Sequence, residues 1–181
     1  MTTSFLNADN CALNDGLNAK TAYISSLTHP CLRGCLILDN RFKFLEHTAD
    51  LYIAAYGESL EEAFENAAAA LFEGMTELDK IRPQIEDKVE VEGHDKQALL
   101  YNWLEALLLK LETENKLYSR FKIIRIDKTS TGLKLTARIK GEPFDPNRHP
   151  SKVGVKAVTY HRMEIIESGK EGVTVKFILD I

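Results

Sequence analysis

The sequence predicts an α+β fold, a two-layer sandwich in which two main helices pack on a mixed or antiparallel β-sheet. Two segments carry apolar residues at three- and four-residue steps, which is the helical pattern. Several shorter segments alternate apolar and polar residues, with turn residues between them, especially near the C-terminus. Hydrophobic residues make up 44% of the 181 residues and charged residues 28%, so the chain can bury a core of ordinary size.

The two predicted helices have recognisable starts. Ser59-Leu-Glu-Glu62 is a capping box, in which the hydroxyl and the carboxylate can each accept a hydrogen bond from an amide of the first turn. The stripe behind it consists of Leu60, Ala63, Phe64, Ala67, Ala68, Leu71, Phe72 and Met75. Asp95 is the predicted N-cap of the second helix. Its stripe, built on Leu100, Trp103, Leu104, Leu107, Leu108 and Leu111, is too wide for a lone surface helix, so we expect it to pack on a sheet.

The remaining segments after residue 40 have the apolar and polar patterns typical of strands. They cover residues 51–56, 88–92, 121–127, 133–140, 155–160, 163–166 and 173–179. The turn cluster Thr129-Ser-Thr-Gly132 indicates a hairpin between the third and fourth of these. In the last strand Val173, Val175, Phe177 and Leu179 share one face, which we expect to face the core.

The chain divides near residue 40 in the sequence. Residues 1–40 are rich in Asn, Ser, Thr and Ala and lack sustained periodicity, which predicts a poorly ordered extension or an artefact of the assumed translation start. Residues 41–181 form the predicted domain. The three cysteines all precede Arg41, and an odd number in an intracellular chain does not indicate a disulfide framework. A zinc site there would lack its second Cys/His pair.

Charge and hydropathy exclude several classes of function. Lys and Arg number 23 against 27 for Asp and Glu, a net charge of −4, which argues against a protein that mainly wraps nucleic acid but leaves room for a local basic patch. No apolar stretch has the length of a membrane span, and the N-terminus lacks a secretory signal pattern, so we expect a cytoplasmic protein without membrane contact. Familiar catalytic motifs such as G-x-S-x-G, H-E-x-x-H and a phosphate-binding glycine loop are absent.

Three carboxylates could form an oxygen-ligand site. Glu46-His-Thr-Ala-Asp50 comes directly before a predicted strand, and the chain stops at Asp180-Ile181, where the α-carboxylate adjoins an acidic side chain. Neighbouring ionised groups repel each other unless a cation lies between them, and hard cations such as Ca²⁺ and Mg²⁺ bind carboxylate oxygens. From spacing alone a solvated chain end is the simpler interpretation, so both interpretations stay open at this point.

Several motifs resemble those of the archease family. They are Glu46-His-Thr-Ala-Asp50, Ala55-Tyr-Gly57, Ser59-Leu-Glu-Glu-Ala-Phe-Glu-Asn66, Ala98-Leu-Leu-Tyr-Asn-Trp-Leu-Glu105, Val155-Lys-Ala-Val-Thr-Tyr-His-Arg-Met163 and Phe177-Ile-Leu-Asp-Ile181. They cover about residues 41–181, in order and without large gaps. The extension before Arg41 is a departure, because family members generally begin a few residues before the EHTAD motif.

The resemblance implies a protein cofactor of the RtcB-type RNA ligase in tRNA splicing, not a catalyst. It would promote the GTP-dependent guanylylation of the ligase and its multiple turnover, and would meet tRNA and GTP indirectly, through the ligase. The resemblance also implies a divalent metal, observed in the family as calcium, held by Asp50, Asp180 and the terminal carboxylate of Ile181. Oxygen ligands also suit Mg²⁺ and Mn²⁺. Lys156 matches a lysine implicated in activating the ligase.

Other interpretations of the same residues remain. The carboxylates could serve an independent metal-dependent hydrolase or nuclease, which needs a base or nucleophile beside an open metal position, and only His47 or Lys156 could supply it. An RNA-binding or chaperone-like module is a third possibility, disfavoured by the acidic balance. Structural roles are the simpler interpretation for His47 and His161. Trp103 fits a core position, and Lys156 without the resemblance is a solvated strand lysine.

Overall fold

The computed structural model describes residues 41–46, 50–169 and 172–181. The predicted extension over residues 1–40, and His47, lie outside these residues. The elements are β1 (Phe42–Leu45), β2 (Leu51–Gly57), α1 (Leu60–Met75), a short 3-10 helix (Leu78–Lys80), β3 (Ile85–Gly93), α2 (Lys96–Glu114), β4 (Lys116–Lys128), β5 (Leu133–Pro143), β6 (Ala157–Glu167) and β7 (Val173–Asp180).

The described strands form two antiparallel sheets. Sheet A has the strand order β1-β2-β7-β6, and sheet B the order β3-β5-β4. The predicted α+β class with two main helices on antiparallel strands is confirmed. The strands divide between two sheets instead of forming one, and the predicted hairpin of β4 and β5 closes sheet B.

Helix α1 packs between the two sheets. It contacts β2 and β7 of sheet A and β4 of sheet B, whereas α2 contacts β3, β5 and β6. The four consecutive alanines Ala67–Ala70 are at most 3% exposed, so α1 is covered on several sides at once. Small side chains at these positions let the helix backbone lie close to both sheets.

Both helix starts follow the prediction with one difference. Ser59 Oγ accepts a hydrogen bond from the backbone N–H of Glu62 at 3.2 Å, as in a capping box. The Glu62 carboxylate instead accepts the N–H of Glu58 at 2.7 Å, one residue before the N-cap. Asp95 caps α2 by accepting the N–H of Ala98 at 2.7 Å.

The strands of sheet A differ from the prediction at two places. The predicted segments 155–160 and 163–166 fall on one strand, β6, which begins at Ala157 and so excludes residues 155 and 156. Its register with β7 jumps between Thr159 and Glu164. Arg162, inside this irregular stretch, has a φ of 54°, so the alternation is broken there and the sequence suggests two strands. Strand β1, only four residues long, was not predicted.

A glycine ends the strand before each helix. Gly57 and Gly93 each stand two residues before the helix N-cap. A Cβ on Gly93 would overlap the backbone of Ala98 and Leu99, and one on Gly57 would overlap that of Glu62 and Ala63. The strand end can therefore lie directly against the first turn of the following helix only where the strand residue has no side chain.

We expect Gly93→Ala to destabilise the domain by about 1–3 kcal/mol, because the added methyl group forces strand β3 away from the first turn of α2. Urea unfolding monitored by the fluorescence of Trp103 measures this change. Gly154→Ala is the matched control, since a Cβ at Gly154 meets no atom within 4 Å. Equal losses of stability in the two variants would contradict the steric explanation.

Candidate functional site

The ends of β2 and β7 meet at one edge of sheet A. Leu51, the first residue of β2, pairs with Leu179 near the end of β7 in an antiparallel ladder. Asp50 therefore lies one position beyond this pair on one strand, and Asp180 one position beyond it on the other. Two acidic residues 130 positions apart in the sequence (180 − 50) come to the same end of neighbouring strands.

Strand β6 brings a lysine to the same edge. Ala157, its first residue, pairs with Asp180 on the side of β7 opposite to β2. The backbone N–H of Lys156 donates to the carbonyl of Asp180 at 2.8 Å. The ammonium of Lys156 donates to a terminal oxygen of Ile181, also at 2.8 Å. The last two residues thus lie between the start of β2 and the segment leading into β6.

The charges at this edge are unequal. Of the residues placed at this edge above, Asp50, Asp180 and the terminal carboxylate of Ile181 are anionic, and Lys156 is cationic. Asp180 and Lys156 are exposed, whereas Asp50 and Ile181 are half-buried, so the edge is accessible from solvent. A carboxylate offers about four lone-pair positions on two oxygens, which lets the α-carboxylate accept from Lys156 and still bind a second partner.

The donor set fits a hard divalent cation. All three groups are carboxylate oxygens, which suit Ca²⁺, Mg²⁺ and Mn²⁺ and lack the nitrogen or sulfur typical of zinc sites. No cluster of three or more His, Cys, Asp or Glu side chains with metal-binding placement occurs within the described residues. The three donor groups at the sheet edge differ from such a side-chain cluster, because one of them is the main-chain carboxylate of Ile181.

Other residues singled out in the sequence lie elsewhere. Trp103 is fully buried, and its indole N–H donates to the carbonyl of Phe64 at 3.1 Å, so its predicted place in the core is confirmed. His161 is exposed in the irregular part of β6. His47 and the three cysteines fall outside the described residues.

Sequence reasoning missed a buried cluster around Glu142, at the end of β5. The Glu142 carboxylate is 3% exposed and accepts hydrogen bonds from the Arg82 N–H at 2.7 Å, from the Arg148 guanidinium, and from Nε2 of His149 at 3.1 Å. Nδ1 of His149 accepts the N–H of Asp145 at 2.9 Å, which places the ring proton on Nε2. Burial alone raises the pKa of Glu142, but the Arg148, Arg82 and His149 hydrogen bonds outweigh it and lower that pKa to about 2.

This cluster anchors the loop that carries Lys156. The loop runs from the end of β5 to the start of β6, and His149 within it is 1% exposed. Further along, the N–H of Lys152 donates to the carbonyl of Met75 at 2.9 Å, and its ammonium contacts the Glu73 carboxylate at 2.5 Å. The loop is fixed at both points before it reaches Lys156. Arg82 precedes Glu142 by 60 positions, so spacing in the sequence does not reveal this partner.

Comparisons with known proteins agree with this fold. A sequence model of the Archease protein family (MTH1598/TM1083) matches residues 42–181. A protein archease from Sulfurisphaera tokodaii is 45% identical over 141 residues, covering 78% of this chain and 99% of the relative. One from Pyrococcus abyssi is 46% identical over 125 residues, covering 69% of this chain and 87% of the relative.

A solved structure shows the same architecture. The solution structure of Methanobacterium thermoautotrophicum Protein 1598 is similar with a TM-score of 0.67 and 38% sequence identity, covering 78% of this chain and 99% of that one. The fold is therefore that of a small α+β domain that ends in a strand inside a four-stranded sheet. With the family match over nearly all of that domain, the chain belongs to the archease family. None of the described helices has the length and apolar character needed to cross a membrane.

The Glu142 cluster makes stability depend on pH in a defined window. The pKa of this carboxyl is about 2 in the folded protein against 4.5 ordinarily, so its ionised form stabilises the fold fully above pH 4.5 and less as the pH falls toward 2. Between pH 6 and pH 3 this contribution falls by about 2 kcal/mol. We expect Glu142→Gln to remove that part of the pH dependence in urea unfolding curves.

The control for this measurement is Glu112→Gln, which changes an exposed carboxylate on α2. It should leave the difference in unfolding free energy between the two pH values as in the wild type. If Glu142→Gln also leaves that difference intact, the cluster does not hold the carboxylate ionised.

Proposed function

We propose that this chain is a protein cofactor that activates an RtcB-type RNA ligase in tRNA splicing. It promotes the GTP-dependent guanylylation of the ligase and its multiple turnover, and it is not itself the catalyst. The tRNA and GTP that react are bound by the ligase. The observation that supports this function is the meeting of Asp50, Asp180, Ile181 and Lys156 at one edge of sheet A in a member of the archease family.

A divalent metal is part of the proposal. Asp50, Asp180 and the terminal carboxylate of Ile181 would hold it, and Ca²⁺ is the ion we propose, with Mg²⁺ or Mn²⁺ as alternatives. A bound divalent cation would neutralise the mutual repulsion of these groups and could attract phosphate oxygens of a partner's nucleotide. The donors come from two strand ends whose positions the β2–β7 ladder fixes relative to each other.

Lys156 supplies the second part of the proposed contact. Its backbone is held to Asp180, and its ammonium lies beside the terminal carboxylate, so its position depends on the same strand end. The side chain is nevertheless exposed, and an ammonium on an exposed edge can reach an anionic group on a partner. We propose that Lys156 acts on the ligase directly, with the carboxylates orienting it.

Adding Gly-Ser after Ile181 should weaken Ca²⁺ binding about tenfold or more, because the α-carboxylate moves two residues away and a neutral amide takes its place. Isothermal titration calorimetry with Ca²⁺ measures the affinity. The same dipeptide inserted after Met1 is the control and should leave the affinity unchanged. Equal affinities for the C-terminally extended and wild-type proteins would exclude the terminal carboxylate as a ligand.

The proposed function itself is tested by reconstitution with an RtcB-type ligase, RNA and GTP. The wild-type protein should increase RNA joining over repeated turnovers, and Asp50→Asn and Lys156→Gln should each reduce that increase by about tenfold or more. Lys110→Gln, on the surface of α2, is the control and should behave as wild type. The ligase guanylylation level, read with labelled GTP, shows whether the affected step precedes joining.

Two results would contradict the proposal. One is a wild-type protein that leaves joining and guanylylation unchanged. The other is cleavage of RNA by this protein alone, provided Asp50→Asn abolishes it, because that result assigns the carboxylates to an independent metal-dependent nuclease.

A further inference from the structure

A second charged surface lies on the solvent side of sheet B. Alternate residues of a strand point to opposite faces, and Val89, Ala137 and Ile139 take the core face. On the other face, strand β3 carries mainly glutamates, whereas β4 and β5 carry cations. We call the following six residues the basic face: Arg120, Lys122, Arg125, Lys134, Arg138 and Lys140.

Cations stand opposite cations on this face. Arg120 pairs with Lys140 across the β4–β5 ladder, and Lys122 pairs with Arg138. Like charges directly opposite each other destabilise a sheet. In most sheets the residues that face each other across a ladder stabilise the pairing. Two successive pairs of like charge, in a chain with a net charge of −4, do the opposite, and such exceptions are typical of functional surfaces.

The nearby carboxylates offset only part of this charge. Glu86 lies 3.1 Å from Lys140 and 3.6 Å from Arg138. Glu65 of α1 lies 3.2 Å from Lys122. Arg120 makes no ion pair with any residue in the described part of the chain. On these two ladder pairs four cations thus share two carboxylates, an excess of two positive charges. The other two cations of the basic face are paired, Arg125 with Asp127 at 2.8 Å and Lys134 with Glu90 at 3.2 Å. The unbalanced positive charge therefore lies on the two ladder pairs.

An arginine-lined cleft continues the basic face at one end. The cleft has a volume of about 440 Å³, and Arg41, Arg82 and Arg120 line it together with Leu78, Asp79, Ile81, Pro83 and Ser119. Three arginines and one acidic residue therefore line the cleft. Nε of Arg41 is buried and has no hydrogen-bond partner among the described residues. Guanidinium groups bind phosphate oxygens through paired N–H donors, and a buried unpaired donor is costly to the fold.

The arrangement fits a linear polyanion read through its phosphates. From Arg120 to Arg125 the basic face extends about 17 Å along β4, since a strand rises about 3.4 Å per residue. No aromatic side chain among the described residues lies on this face, so it offers no platform for base stacking, and the expected binding is independent of base sequence.

We propose that the basic face and the arginine-lined cleft bind the phosphate backbone of single-stranded RNA. The choice of RNA over DNA rests on the proposed function, since RNA is the substrate of the ligase. The basic face is on sheet B and the cleft adjoins it, whereas the carboxylate edge belongs to sheet A, so the protein can contact RNA and the ligase with different surfaces.

Binding is measured by the fluorescence anisotropy of a labelled oligouridine RNA with the full chain and no ligase. The test variant combines Arg120→Gln, Arg125→Gln and Arg138→Gln. The control combines Lys43→Gln, Lys96→Gln and Lys110→Gln, which also removes three positive charges, but from β1 and α2. Because net charge falls equally in both, a difference between them reports the location of the charge.

The wild type and the control should bind the RNA with similar affinity, and the test variant about tenfold or more weakly at about 50 mM salt. The slope of log affinity against log salt should also fall by about 2 in the test variant, since each phosphate contact to a single strand contributes about 0.7. Thermal unfolding should change little in the test variant, because relief of the cross-strand repulsion offsets the loss of the exposed ion pairs of Arg125 with Asp127 and Arg138 with Glu86.

Three outcomes would overturn the proposal. In the first, the wild type binds no RNA at low salt. In the second, the test and control variants lose the same RNA affinity. In the third, the three arginines are needed to capture the ligase but not to bind RNA. The last outcome assigns the surface to an acidic protein partner. Ligase activation is measured separately, so failure of RNA binding leaves the proposed function standing, and failure of activation leaves the RNA result standing.

Discussion

The pairing of β7 between β2 and β6 is the constraint on which the carboxylate edge depends. A strand inside a sheet has its register fixed on both sides, and a shift of one residue would exchange its two faces. Here such a shift would take Val175, Phe177 and Leu179, all fully buried, out of the core. The hydrophobic core thus fixes where the last two residues lie, and with them the distance from Asp50 to the chain end.

Helix α1 joins the sheet that carries β7 to the rest of the domain, because it packs on both sheets. The helix contacts β2 and β7 of sheet A and β4 of sheet B, and its alanine run is buried. Glu65, on the flank of this helix, accepts the N–H of Ile123 at 2.8 Å and contacts Lys122. One helix therefore supports the carboxylate edge through β2 and β7, and the basic face through β4.

Much of this fold could be predicted from local sequence, and the exceptions have physical causes. Helix periodicity and the caps at Ser59 and Asp95 depend on residues close in the chain, and both helices follow the prediction. The division into two sheets depends on pairings between distant segments, which no local pattern records. The bulge around Arg162 interrupts the alternation of β6, and β1 is too short to show an alternation of its own.

The candidate site divides in a similar way. The closeness of Asp50 and Asp180 could be expected only through the family resemblance, because spacing alone left a solvated chain end as the simpler interpretation. The cations of β5 are visible as an alternation in the sequence. Their juxtaposition with Arg120 and Lys122 requires the β4 register, which irregularities shift twice. The Glu142 cluster is assembled from a strand, a loop and the segment before β3, and no motif joins them.

The β2–β7 ladder also has a consequence for biosynthesis. Leu51 and its partner Leu179 are separated by 128 positions (179 − 51), so β2 leaves the ribosome long before its neighbour exists. Until then β2 has only the four-residue β1 beside it, and its apolar residues Ile53 to Ala55 line an open strand edge. Nascent chains are therefore most exposed to mispairing and aggregation in the interval before β7 emerges. Slower elongation would lengthen that interval, and a chaperone that covers an extended apolar segment would protect the chain during it.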